Sequence, residues 1–238
     1  SVLSTLLAPA RLVAERAWVR REERGSFAFV YDGLPAERDF VVRTYPLVAA
    51  PLLLVLFGAD PTKTEGEGLF ALLLFAPAAF LPFVLMHVPT TATPEARWIV
   101  DTSPLSAEIE DRGALKAVAI RLLLPLYVGI GALVVVLAGP QLALRLWPVA
   151  VVAGMATLRL LWRRGADRPL STRAQDLLSA WSEGLGGLLI AVAVAMTLVA
   201  VAAWRMVPSA AFGWALLGGA IAVELIVHGR VRPANRPT

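Results

Sequence analysis

The side chains best placed to do chemistry in this chain are charges set inside or beside long apolar runs. Glu224 lies four residues before His228 near the end of the last run, and Arg121 lies about one turn past Lys116 at the start of another. A carboxylate stripped of water tends to protonate, whereas a guanidinium beside it keeps it ionised. At matching depth, Glu224 and Arg121 read as an opposite-charge pair joining two runs, or Arg121 reads as a cation that snorkels to the headgroups. Arg145, Arg159 and Arg205 read as anchors nearer the run ends. A second group, Glu95, Arg97, Trp98, Asp101, Pro104, Glu108 and Asp111, falls in the acidic stretch PTTATPEARWIVDTSPLSAEIEDRGALK at 89–116. An indole set among charges of both signs suits contact with another protein. The two histidines, His87 and His228, sit at the ends of different runs and cysteine is absent. No metal site is expected, and thiolate and disulfide chemistry are excluded. The chain has no G-x-x-x-x-G-K-[ST], H-E-x-x-H or G-x-S-x-G pattern, so the expectation is a non-enzyme without a cofactor.

The elements that must position these residues are the apolar runs themselves, at 46–59, 68–88, 117–138, 146–162, 185–204 and 209–228. A bilayer core about 30 Å thick needs roughly 20 helical residues. Four runs meet that length, and the first and fourth must borrow flanking residues. Composition agrees: 58% of residues are apolar, the mean hydropathy is +0.69 and 17% are charged, below the roughly 25% of soluble domains. The reading is an all-α polytopic membrane protein of six transmembrane helices, with the lipid bilayer as its first partner. Of 22 lysines and arginines, only Lys63, Arg145 and Arg205 fall on the connections after the first, third and fifth runs. Cytoplasmic loops collect lysine and arginine, so both termini are expected in the cytoplasm of a bacterial inner membrane. The same asymmetry accounts for the pI near 10.1 without nucleic acid.

The organisation that follows is a cytoplasmic segment at 1–45, a transmembrane domain at 46–228 with cytoplasmic loops 89–116 and 163–184, and a tail at 229–238. Val2–Ala10 is too short for a signal peptide. Residues 4–24 carry Leu6, Leu7, Leu12, Val13, Ala17 and Trp18 among charges, a pattern for a helix lying in the membrane interface or packing on a partner. Residues 25–42, with Gly25, Gly33 and Pro35, read as a turn-rich bridge. In 89–116, Thr93-Pro94 is an N-cap signal for a short helix over 94–101. Ser103-Pro104 repeats it and opens a helix through Gly113 into the third run, making a lever. Gly129 and Gly131, Gly184 to Gly187, and Gly218-Gly219 would let helices approach closely in lipid. Pro77, Pro82, Pro125 and Pro148 predict kinks.

The stretch EARWIVDTSPLSAEIEDRGALK resembles the cytoplasmic loop of permease subunits of ABC-2-type (type V) ABC exporters. The matching residues are Glu95, the run Thr102-Ser103-Pro104-Leu105-Ser106, and Lys116, within a motif of about 22 residues. Six spans with both termini inside and an amphipathic helix before the first span also match. The resemblance implies a permease that forms homo- or hetero-oligomers and is coupled through 94–111 to a separate cytoplasmic ATPase. Where that family carries an external hairpin before the last span, this chain has only Arg205–Pro208. A non-catalytic accessory subunit of a large respiratory or photosynthetic membrane complex is the alternative.

Overall fold

The computed structural model describes residues 2–44, 46, 64–103, 105–165, 168–173 and 185–228. Every regular element among them is helical: α1 (Val2–Ala17), α2 (Arg24–Gly33), α3 (Thr64–Ala79), α4 (Leu81–His87), α5 (Trp98–Asp101), α6 (Ala107–Val118), α7 (Leu124–Ala138), α8 (Pro140–Gly165), α9 (Leu185–Met206) and α10 (Ala210–His228). Residues 38–44 are also helical, and Thr90 and Thr172 form a single isolated bridge. Five stretches are long and apolar enough to cross a membrane: Gly66–His87, Ala107–Ala138, Pro140–Arg163, Gly186–Met206 and Ala210–His228. The expected first span at 46–59 lies outside the described residues except for Pro46, as does the tail at 229–238.

Proline and glycine set the breaks between these helices. Pro77 and Pro82 flank a turn at Phe80 that divides α3 from α4. Pro125 has no N–H to return to the carbonyl of Arg121, and Ala119–Leu123 accordingly widens into one π turn between α6 and α7. The three pieces still form one continuous rod, Ala107–Ala138. Gly139, at φ +87°, ends α7, and Pro140 starts α8 at the position where a missing N–H is harmless. The expected fourth run at 146–162 thus extends to 140–165 and needs no thin membrane.

α8 is the central helix, packing on α3, α7 and α10, while α9 packs on α3. The core combines Phe70, Leu74 and Phe75 of α3 with Tyr127, Ile130 and Val134 of α7 and Leu146, Ala150 and Leu158 of α8. Of the five spans, the first is two-thirds buried, whereas the last two are only 11% buried.

The N-terminal region departs from expectation. The helix expected over 4–24 stops at Ala17, and the chain turns through Trp18–Glu23. The supposed bridge at 25–42 contains α2, whose Phe27, Val30 and Tyr31, with Leu34, form a buried face at helical spacing. Phe27 and Tyr31 stack with centroids 5.5 Å apart. α2 lies directly on α6. Gly113 makes this approach possible, because a Cβ there would stand 2.7 Å from the Glu23 carbonyl and 3.0 Å from the Phe27 nitrogen. The Ser26 hydroxyl donates to the Glu110 carbonyl across the same contact, at 2.5 Å.

Candidate functional site

Residues 88–111 and 168–173 are laced into one polar platform at the end of the bundle reached by α4 and α8. The Leu170 N–H donates to the Val88 carbonyl at 3.1 Å, those of Ser171 and Thr172 to Pro89 at 2.8 and 3.0 Å, and that of Thr91 to Thr172 at 3.0 Å. Leu170 reaches this position with φ +51°, a left-handed conformation that non-glycine residues rarely take. The N-terminal region joins through Glu37, which accepts from the Thr91 hydroxyl at 2.7 Å and the Ala92 N–H at 2.9 Å.

Arg97 pins the platform from inside. It is 5% exposed, donates to the Pro169 carbonyl and to Glu110 of α6, and pairs with Asp101 at 3.3 Å. Two exposed pairs close the rim, Arg173 to Glu95 at 2.6 Å and Arg168 to Asp101 at 3.5 Å. The Glu95 carboxyl is held below its ordinary value by its own backbone N–H and then by Arg173. Trp98 points outward with 64% of its surface exposed. Glu108 is exposed and paired with Arg112 along α6, and Asp111 is exposed.

The expected short helix over 94–101 is present as a 3-10 turn, Pro94–Arg97, running into α5. Its cap differs, since the Thr93 side chain makes no capping hydrogen bond. The helix after it is capped by Ser106, which accepts from the Ile109 N–H at 3.4 Å, and it starts at Ala107. Ser103 therefore does not open it, and Pro104 lies outside the described residues. Of the residues expected to contact a partner, Arg97 is turned inward as the pin. Glu95, Trp98, Asp101, Glu108 and Asp111 form the outer surface and rim.

A second assembly sits farther along α6. The Lys116 ammonium donates to the Glu23 carboxylate at 2.6 Å and to the carbonyls of Trp18 and His228, each at 2.9 Å. All three ammonium protons are thereby used. The Lys116 and Glu23 side chains are 1% and 0% exposed. A pair this deep is tolerated because its donors are satisfied, and removing one partner costs roughly 3–5 kcal/mol. Arg20 donates to the Val227 carbonyl at 3.2 Å. Two cations thus cap the last carbonyls of α10, where the helix dipole is negative.

Glu224 is paired with Arg159 of α8, accepts from the Trp18 indole at 2.7 Å, and lies 3.5 Å from His228. The expected Glu224–Arg121 pair is not formed. α10 packs on α8, which brings Arg159 to Glu224, while Arg121 faces α2 with its guanidinium 5.0 Å from the Tyr31 ring centre. Arg159, expected as an anchor, is therefore the true counter-ion. Its signal was present in the sequence, as an arginine inside an apolar run at the depth of Glu224. Lys116 is singled out in the sequence only as part of the exporter-like motif and not as the partner of Glu23. Glu23 and Tyr31 are not singled out, and the i, i+3, i+4, i+7 spacing of α2 is the signal for Tyr31.

Among the described residues no group of histidines, cysteines or carboxylates is arranged to hold a metal ion. The N-terminal segment, the 88–116 loop, residues 168–173 and the end of α10 meet at one end of the bundle through these hydrogen bonds. Comparison finds no matching protein-family model, curated protein or solved structure, so the functional reading rests on these residues and their geometry.

Proposed function

We propose that this chain is the membrane-spanning, permease-like subunit of an ABC-type exporter, docked through residues 94–111 to a separate cytoplasmic ATPase. The observation that carries the reading is the build of that loop. Its inner face is fixed by buried Arg97 to α6 and to residue 169, while its outer face presents Trp98 to solvent. A large indole exposed on a braced platform is what a protein interface uses as an anchor. Because α6 continues into the third span as one rod, force applied at Trp98 passes directly into the membrane helices.

The topology of this reading is six spans with both termini in the cytoplasm of a bacterial inner membrane. It draws support from Glu37, which binds at the His87 end of the Gly66–His87 helix although Thr64 begins its opposite end. The 26 residues between them have enough length, at about 1.5 Å each in a helix, to make one more crossing. Among the described residues, the basic N-terminal segment, the 89–116 loop and residues 168–173 gather at the end that bears the platform, the side the positive-inside rule assigns to the cytoplasm.

One observation favours the accessory-subunit alternative. A Cβ at Gly186, Gly187, Gly218 or Gly219 would meet nothing within 4 Å, which leaves small-residue faces on α9 and α10 for helices of other subunits. Trp98→Ala separates the two readings cleanly, because it touches neither the Arg97 pin nor the Glu95–Arg173 pair. The permease reading predicts normal insertion and unchanged thermal stability, but loss of an associated ATP-hydrolysing subunit on purification. Undiminished association of that subunit, or a variant that loses only other membrane subunits, would defeat it.

A further inference from the structure

Among the described residues Arg121 is a buried cation with no anion. It is 5% exposed, its Nε is sealed from solvent with no acceptor, and its guanidinium pairs with no carboxylate among the described residues. Glu15 and Asp32 pair with Arg11, and Glu23 pairs with Lys116 through Oε2 while its Oε1 is buried without a partner. What Arg121 does contact is the Tyr31 ring, whose centre lies 5.0 Å from Arg121 Cζ and 4.8 Å from Arg11 Cζ. A ring face attracts a cation but accepts none of the five guanidinium N–H donors. Tyr31 is itself 2% exposed, and its hydroxyl has no partner. The guanidinium over the Tyr31 ring and the hydroxyl on that ring thus both have a buried donor without an acceptor, and buried charges are normally paired or complexed.

We propose that Arg121 and the Tyr31 hydroxyl bind a phosphate oxyanion where α1, α2 and the π turn meet. The planar guanidinium fork matches two oxygens of such a group, and the hydroxyl supplies a third donor. The π turn at Ala119–Leu123 places this arginine where the regular helix is interrupted, and α1 packs over the same turn. Arg121 lies near the start of the apolar run 117–138, where a span of this length would meet the headgroup region. α1 exposes Leu6, Leu12 and Val13, at 68, 53 and 66%, which suits acyl chains beside the headgroup. A phospholipid headgroup and free phosphate share this chemistry, and the experiment separates them.

The test uses the purified full chain, delipidated in dodecyl maltoside, with three additions at equal ionic strength: dioleoyl phosphatidylglycerol, dioleoylglycerol or inorganic phosphate. Wild type should gain roughly 5 °C in thermal midpoint with phosphatidylglycerol and nothing with dioleoylglycerol. Arg121→Met and Tyr31→Phe should each lose at least half of that gain. In lipid-free micelles Arg121→Met should match or exceed wild type, because it removes an uncompensated buried charge, and phosphatidylglycerol should reverse that order. A purely structural arginine would leave wild type the more stable under both conditions, which overturns the proposal. An equal gain from inorganic phosphate, lost in both variants, supports the site and assigns it to the free anion. No gain from either phosphate probe overturns it, as does the same gain in wild type and variants. Where Arg121→Met yields no folded protein, Tyr31→Phe decides, since it keeps the ring against both guanidiniums, and an undiminished gain there overturns the site.

Discussion

Glu224 shows how far a single residue can be read before the fold is known. A carboxylate in an apolar run needs a counter-ion, and the sequence supplies its depth. It does not supply the rotation of one helix about its neighbour, so Arg121 and Arg159 both qualify by depth. Packing of α10 on α8 decides for Arg159. A double-mutant cycle between Arg159→Ala and Glu224→Ala, read by thermal stability in detergent, should give a coupling of roughly 1–3 kcal/mol. The cycle between Arg121→Ala and Glu224→Ala should be additive within about 0.5 kcal/mol. Coupling at 121 and additivity at 159 would reverse the assignment.

At the scale of elements, the five described spans were legible because bilayer length and apolar runs leave little choice. α2 was not, because Gly25, Gly33 and Pro35 mask a buried face made by Phe27, Val30, Tyr31 and Leu34. Its role depends on α6 across the contact at Gly113, a long-range partner that no local pattern names. Gly113→Ala should therefore destabilise by about 1–3 kcal/mol, since the added methyl meets backbone that cannot yield. Gly218→Ala, where a Cβ meets nothing within 4 Å, should be neutral or stabilise by up to about 1 kcal/mol through helix propensity. The joint between the two loops should also respond to acid. The folded Glu95 carboxyl titrates below its ordinary value of 4.5, through its own backbone N–H and then Arg173. Its contribution is complete above that value and is lost as pH falls through the lower, folded value. Amide protection at 168–173, taken relative to the intrinsic exchange rate at each pH, should fall on acidification in wild type and be low already at neutral pH in Glu95→Gln. Equal exchange in both proteins at neutral pH would mean that the Glu95–Arg173 pair orders nothing.

Among the described residues, the N-terminal segment, the 88–116 loop, residues 168–173 and the end of α10 gather at one end of a helical bundle, and the segregation of basic residues along the chain already marked these segments. The sequence also marked 94–111 as unusual, through its acids, Trp98 and two proline-led cap signals. What it could not reveal is that Arg97 faces inward, because the i, i+1 neighbours Arg97 and Trp98 diverge only once Glu110 and residue 169 are in place. That division between a buried pin and an exposed indole is the basis for reading the loop as a docking platform. The most direct measurement places a photo-reactive phenylalanine analogue at position 98 in cells, followed by ultraviolet cross-linking and labelling with an azido-ATP analogue. The account predicts one cross-linked species that carries the nucleotide label in addition to this chain. Cross-links confined to subunits that take no nucleotide label, or a correctly inserted chain with no cross-link at position 98, would contradict it.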